Sequence, residues 1–374
     1  MTAPLLHTVS SRWLRSLLDQ LRQHGVDVES WLAGHGYSPQ VLEQERVPFA
    51  MERLLFRDLP ARIPELAILL ASSMSAETLP RFHFALASCA TLGEAFGVLI
   101  RMSPLLSTGV RFVRTRREDL LELSLIQVAP GDEILPAYAE FTALRVVHLA
   151  ERATAAPGGR GVEPVQVWLR HHAERCSPEL RARWGERLLT SRMRDAVLFR
   201  LADLERPCVG AEPRLGQILA EAITVDLAAL PAPSPVERVH AEVAVALSFA
   251  VPLAEDIARQ LGVSERTMGR QLAEAGTSFT DILQSIRMER ARSWLAGGET
   301  VAAVAELVHY SEVAPFWRAY RRHFGHAPGR VATDGMSDAS TDAPTDAPTD
   351  AAIDPGPEGD PDGEPCRPDP SELA

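Results

Sequence analysis

The sequence predicts a multidomain chain: an α+β N-terminal domain, an all-α domain with two helix-turn-helix units, and a disordered acidic C-terminal tail. Three observations carry this expectation. Helix-like and strand-like segments mix over the first 230 residues. Glu299 to Pro328 (ETVAAVAELVHYSEVAPFWRAYRRHFGHAP) reads as helix, tight turn, helix, and Pro252 to Leu272 (PLAEDIARQLGVSERTMGRQL) repeats that pattern about 47 residues upstream. After Arg330 the chain becomes TDAPTDAPTDAAIDPGPEGDPDGEP, with too few large apolar groups to offset chain entropy.

The N-terminal elements follow from periodicity. Trp13, Leu14, Leu17, Leu18 and Leu21 fall at helical spacing, as do Leu54, Leu55 and Leu59 and, after Pro64, Leu66, Leu69 and Leu70. Strands are expected over Val110–Val113, Leu120–Ile126, Pro164–Leu169 and Ala196–Phe199, and a helix over Ala139–Ala150. Leu121-Glu122-Leu123-Ser124-Leu125 alternates apolar and polar residues, which predicts a sheet with one wet face. This mixture of helix and strand, with a helix between the strand candidates, is expected to give an α+β domain. From Arg214 to Leu230 a helical stripe of Leu215, Ile218, Leu219 and Ala222 either packs on this domain or forms a dimer seam. Leu230 to Pro235 (LPAPSP) reads as a short stiff linker.

In the first helix-turn-helix unit, Leu253, Ile257 and Leu261 define one apolar face. Gly262 permits the left-handed backbone of a sharp turn, and Ser264 can cap the next helix. Met268 and Leu272 point inward, leaving Glu265, Arg266, Gly269 and Arg270 outside. In the second unit, Val301, Val304, Ala305 and Val308 form the first stripe, and Ser311 is the candidate cap. Phe316, Tyr320 and Phe324 recur every four residues as a buried face, so Arg318, Arg321 and Arg322 project outward. Between the units, Ser278 to Ala296 reads as one helix. It buries Phe279, Ile282, Leu283 and Ile286 early, and Ala291 and Leu295 on a face turned by roughly a right angle. Such a rod would hold two second helices in successive major grooves of double-stranded DNA, about 34 Å apart. Arg266 and Arg270 are then candidates for base edges or nearby phosphates, Thr267 for a phosphate, and Val313 and Ala314 for a thymine methyl.

Bulk properties bound this reading. The 374 residues allow two or three domains, and no apolar run approaches the roughly 18 residues that span a bilayer. No basic segment precedes an apolar core at the N-terminus, so a cytoplasmic protein without a membrane partner is expected. Cys89, Cys176, Cys208 and Cys366 form no CxxC pair and read as free thiols. The net charge of −12 is nearly all tail: residues 333–374 hold 12 acids and one Arg, while residues 236–332 balance 11 Arg against 11 acids. All 38 basic residues are Arg, so any phosphate contact is made by a planar fork. There is no GxGxxG, GxxxxGK[ST] or GxSxG, and His171-His172 with Glu174 and Cys176 fits no recognised ligand spacing. Neither an enzyme, a metal nor a cofactor is expected.

These residues resemble the AraC/XylS family of bacterial transcription regulators. The likeness rests on Ala258, Leu261-Gly262-Val263-Ser264, Arg266, Met268, Arg270 and Leu272, then Gly276, Arg287, Ala291 and Leu295. It continues through Val304-Ala305, Tyr310-Ser311-Glu312, Phe316, Arg318, Tyr320-Arg321-Arg322, Gly325 and Pro328. The resemblance covers about 95 residues and implies a bipartite DNA-binding domain of about seven helices. It places base contacts at Arg266, Gly269 and Arg270 in the first unit and at Val313, Ala314, Trp317 and Arg318 in the second. The sequence departs from the family's usual glycine at His309 and carries Pro315 near the start of the second recognition helix. The second unit therefore either reads bases or mainly grips phosphates.

The N-terminal half is similar to the arabinose-binding type of regulatory domain, as in ornithine-utilisation-type regulators. The matching pieces are residues 80–104, Val165 to His171, Trp184-Gly185 and Ala196-Val197-Leu198-Phe199. The implied layout is a ligand-sensing or dimerisation domain at 1–210 and a linker at 211–235. A double helix-turn-helix domain at 236–332 and the tail at 333–374 follow. The implied partners are duplex DNA, RNA polymerase, an unidentified small-molecule effector and a second copy of the chain, in an effector-responsive activator. Arg81, His83 and Arg101 are effector candidates that read equally well as structural residues. A non-specific architectural DNA protein is the alternative, and an enzyme in the N-terminal domain is a third.

Overall fold

The computed structural model describes residues 7–72, 80–131, 134–156 and 158–328; the tail expected to be disordered at 333–374 lies outside them. The chain opens with β1 (Thr8–Ser10), α1 (Ser11–Gln23), α2 (Val28–Gly34), β2 (Arg46–Pro48) and α3 (Phe49–Asp58). Next come α4 (Leu66–Ser72), α5 (Pro80–Ala87), α6 (Leu92–Leu106), β3 (Val110–Arg117), β4 (Leu120–Gln127) and α7 (Pro136–Thr154). The N-terminal half ends with β5 (Gln166–Trp168), α8 (Pro178–Trp184), β6 (Leu188–Leu189), β7 (Asp195–Arg200), α9 (Leu201–Leu204) and α10 (Pro213–Ala228). The helical half holds α11 (Pro235–Leu247), α12 (Ala254–Gln260), α13 (Glu265–Glu274), α14 (Phe279–Ala296), α15 (Val301–Leu307) and α16 (Val313–Phe324). Those are six helices among the described residues where the resemblance implies about seven.

The larger sheet has the order β3-β4-β7-β5-β6, antiparallel except for the β5–β6 pair. The four expected strands all form, three of them within two residues of their sequence boundaries; β3 runs four residues past the expected Val113, and the expected 139–150 helix extends to Pro136–Thr154. Leu121, Leu123 and Leu125 of β4 join Val197, Phe199 and the helices of the N-terminal core.

The opposite face of β4 is not wet, contrary to the alternation. Glu122 and Ser124 are both fully buried. Two causes are visible. Helix α11 of the helical half lies on this face, where Ala241 and Val245 pack with Val113, Ile126 and Val128. Beside them, Glu122 accepts hydrogen bonds from Arg117, Arg194 and, at 2.6 Å, the Ser124 hydroxyl. Burial alone would raise the Glu122 pKa; the Arg194 and Arg117 charges and the Ser124 bond overcome it and hold the carboxyl below its usual value. A period of two reports polarity, and a buried ion cluster has the same period as a solvated face.

The Arg214–Leu230 stripe divides instead of choosing. Ile223 is buried, and Leu219 and Leu227 pack partly against the N-terminal core, with α10 resting on α5 and α6. Leu215, Ile218 and Val225 face outward.

The helical half contains two separate cores strung on α14. Val239, Val243, Leu247, Ile257, Met268 and Leu272 close on Ile282 and Ile286. Val304, Val308, Phe316 and Tyr320 close on Met288, Ala291 and Trp294. A single rod serving two cores on different faces is what its shifted apolar pattern predicts.

Candidate nucleic-acid interface

In the first unit the turn between α12 and α13 is built from local sequence. Gly262 sits at φ 68°, a left-handed conformation that costs glycine little. Ser264 is the N-cap of α13, and its hydroxyl accepts from Thr267 N at 3.2 Å. The Thr267 and Ser264 hydroxyls lie 2.9 Å apart, so Thr267 belongs to the cap as well as to the helix surface. Met268 and Leu272 anchor the inner face. Arg266, Gly269 and Arg270 are exposed on the outer one. A Cβ at Gly269 would meet nothing within 4 Å, so the outer surface between the two arginines is bare backbone. Ile257 occupies the core as expected, but Leu253 caps α12 and is 63% exposed. It precedes the first helical residue, where helical periodicity does not yet apply.

The second unit reaches a similar arrangement by other means. His309 holds φ 60° at its turn, the strained conformation expected where glycine is absent. Two bonds hold it there: His309 Nε2 donates to Leu247 O at 3.0 Å, and Arg287 donates to His309 O at 3.1 Å. The cap is Glu312, without a side-chain bond, and not the expected Ser311. Helix α16 therefore starts at Val313, which puts Pro315 third in the helix. The first four N–H groups of a helix have no internal partner, so proline forfeits nothing there. Phe316 and Tyr320 are fully buried, and Phe324 packs partly. Val313, Ala314, Trp317, Arg318, Arg321 and Arg322 are all exposed along the other face.

The charge on these faces is open. Among the described residues, Arg266, Arg318 and Arg322 form no ion pair; Arg270 lies 3.8 Å from Glu274, with both side chains exposed. Arg321 sits over the Trp317 ring at 5.8 Å. By contrast, Arg259 on α12 is neutralised by Glu255 and Asp256, each at 3.1 Å. Acids occur on both helices of the first unit, Glu255 and Asp256 on α12 and Glu265 and Glu274 on α13, whereas α16 carries none.

Arg287 and Arg290 brace this geometry, a role that sequence reasoning did not give to Arg290. Arg290 is inserted between α14 and α11, donating to Ala244 O at 2.7 Å and Ser248 Oγ at 3.0 Å. Burial, with Arg170 nearby, lowers its pKa to about 9. The signal was a charge between Met288 and Ala291 on the inner side of α14. The helical half is also tied to the sheet domain. His240 donates to Val128 O at 3.0 Å, Arg111 pairs with Glu242 at 2.9 Å, and Arg194 donates to Ser248 O at 3.1 Å.

In the N-terminal half, His171 and Cys176 meet Glu140 of α7, all three buried, with their donor atoms within 4.8 Å of one another. His172 and Glu174, which the sequence groups with them, do not join. Glu140 already accepts from His171 Nε2 at 3.1 Å and Ser177 N at 3.3 Å. Burial, reinforced by Glu140, pushes the Cys176 thiol up to about 12, so it stays protonated at neutral pH. Of the effector candidates, Arg81 pairs with Asp226 of α10 at 2.7 Å and Arg101 is exposed; His83 alone lines a cavity, of about 620 Å³. The same cavity is lined by Arg145, which sequence reasoning missed. Its signal was a lone charge inside the apolar run of α7.

Comparison with known proteins adds relatives to this geometry. Residues 25–208 match the family model for the arabinose-binding domain of AraC transcription regulator, N-terminal, and residues 257–333 match a helix-turn-helix domain model. An uncharacterized HTH-type transcriptional regulator of Mycobacterium tuberculosis, Rv1395, is 25% identical over 329 residues, 86% of this chain and 95% of its own length. The HTH-type transcriptional regulator YdeO of Escherichia coli is 32% identical over 80 residues, 21% of this chain and 32% of that protein. The solved structure of transcriptional regulator CdpR from Pseudomonas aeruginosa aligns over 85% of this chain and 96% of its own. That alignment has 19% identity and a TM-score of 0.37.

Proposed function

The chain belongs to the AraC family of transcription regulators, and from that premise we infer that it is a sequence-specific, effector-responsive activator. It is a DNA-binding transcription regulator. The finer reading assigns base contacts to Arg266, Gly269 and Arg270 of α13 and to Val313, Ala314, Trp317 and Arg318 of α16. Thr267, Arg321 and Arg322 take phosphates. The observation that carries it is the pair of exposed, arginine-bearing helix faces mounted on one rod, that of α16 free of acids. Direct readout needs donors free to approach base edges, and unpaired arginines on a helix of major-groove width meet that need.

The remaining assignments follow from this one. Duplex DNA as partner implies a cytoplasmic protein, and activation implies contact with RNA polymerase. The outward stripe of Leu215, Ile218 and Val225 on α10 suits a homodimer. The N-terminal half senses a small molecule and acts through the α11 contact, in a coupling of about 1–3 kcal/mol.

Binding-site selection with the full chain tests the reading against the architectural alternative. The expected result is enrichment of one two-part motif with its halves about one helical turn apart. Affinity that tracks salt but enriches no sequence would replace it with the architectural reading.

A further inference from the structure

The cavity of about 620 Å³ lies between α1, α5, α6, α7 and the β3–β4 pair. Its walls are mostly apolar, and five aromatic residues, Trp13, Phe82, Phe112, Tyr138 and Phe141, stand among them. The volume is that of a small-molecule site. Among the described residues that line it, the charged and ionisable side chains are Arg145, Arg152, His83, His148 and the Tyr138 phenol, with no Asp or Glu. Glu52 accepts hydrogen bonds from two of the lining residues, Trp13 Nε1 at 2.6 Å and Tyr138 OH at 3.4 Å. Burial raises its pKa to about 7.

Arg145 is the anomaly. It arises from the middle of α7, between the buried Leu144 and Val146. Among the described residues it has no hydrogen-bond or ion-pair partner, and its recorded contact is the Trp13 ring at 6.0 Å. Burial, aggravated by Arg152, lowers its pKa to about 10, so it is still charged at neutral pH. Burial, Arg152 and Arg145 together lower the pKa of His83. Arg145 is half-buried; a charge drawn out of water without a partner is destabilising, and such charges cluster at functional sites.

We propose that this cavity takes an apolar molecule with a single carboxylate head, anchored by the Arg145 guanidinium. The proposal rests on reading the N-terminal half as the effector domain. The apolar walls take the body of the ligand, and Arg145, Arg152 and His83 supply the positive end. The β3–β4 hairpin relays occupancy: Phe112 and Leu125 line the cavity, while the alternate residues Val113 and Ile126 pack on Ala241 and Val245 of α11. One wall of the ligand site is thus the floor on which the DNA-binding half rests.

Calorimetric titration of the full chain without DNA tests this, with decanoate, decan-1-ol and decylamine as probes. Decanoate is expected to bind at least tenfold tighter than decanol, and decylamine not at all. Arg145→Gln should weaken decanoate by about 10- to 100-fold and leave decanol unchanged, while Arg145→Lys keeps most of the preference. The melting temperature of ligand-free Arg145→Gln should equal or exceed the parent's, because an unpaired buried charge has gone. Equal affinity of the parent for decanoate and decanol overturns the proposal, as does undiminished decanoate binding by folded Arg145→Gln. A decanoate-binding protein without operator preference would instead break the regulator reading and leave this one standing.

Discussion

The two helix-turn-helix units have similar outlines and opposite supports. The first is held by its own residues: glycine at the left-handed turn position, serine at the cap. The second has a histidine at φ 60° and a glutamate that caps nothing. It is kept in shape by bonds from elsewhere: His309 to Leu247, Arg287 to the His309 carbonyl, Gln284 to the Tyr310 hydroxyl. A turn can thus be encoded at its own position or imposed by the helix behind it. The imposed kind ties the second unit's shape to α14 and α11, which also reach the N-terminal half: α11 packs on β4, and Glu289 of α14 accepts a hydrogen bond from Gly131 N.

The largest expected effects come from the cores. Phe316→Ala should cost about 3–5 kcal/mol and Ile257→Ala about 2–5. Hydrogen exchange should localise the first loss to α15–α16 and the second to α12–α13. If either change deprotects both units alike, the cores on α14 are one cooperative body and the contrast fails.

DNA affinities come next. Arg270→Ala should cost about 1–3 kcal/mol and relax preference at one base position, while Arg321→Ala weakens all sequences alike. Fluorescence anisotropy on the selected site and on single-position variants distinguishes them. A position-specific loss at Arg321 would give the second unit base readout beyond the residues assigned.

The turns sharpen the comparison directly. Gly262→Ala should cost about 1–2 kcal/mol from backbone strain alone, since its Cβ would meet nothing within 4 Å. His309→Gly relieves similar strain but removes the Leu247 bond, worth about 0.5–1.5 kcal/mol, so thermal melting should shift little. A loss as large as that of Gly262→Ala would mean that the imidazole bond dominates the second turn.

The smallest effects belong to the caps. Ser264→Ala should lower stability by about 1 kcal/mol. Ser311→Ala should leave the melting temperature unchanged, because Ser311 precedes the cap residue and its side chain caps nothing.

Much of this molecule was legible before folding was considered. Both apolar stripes, the two-faced rod from Phe279 to Ala296, the Ser264 cap and the exposed arginines of α13 and α16 all follow from period and turn chemistry. Three features did not. Ser311 has a capping side chain, but helix start is decided by backbone geometry one residue on. Leu253 continues the spacing of Ile257 but lies outside the helix. Glu122 and Ser124 alternate as a solvated face would, yet lie buried under α11 with Arg194 and Arg117.

The amino-acid order by itself determined what local interactions can decide: element type, the inner face of each helix, and the two repeated units with their outward guanidinium groups. Tertiary structure alone decided which charges are satisfied. Arg290 is bonded between helices, Glu122 is matched within the sheet, and Arg145 faces a cavity with no ion-pair partner among the described residues. The reason is range. Periodicity is set by neighbours a few positions away, whereas the partner of a buried charge comes from residues tens of positions distant, brought near only when the layers close.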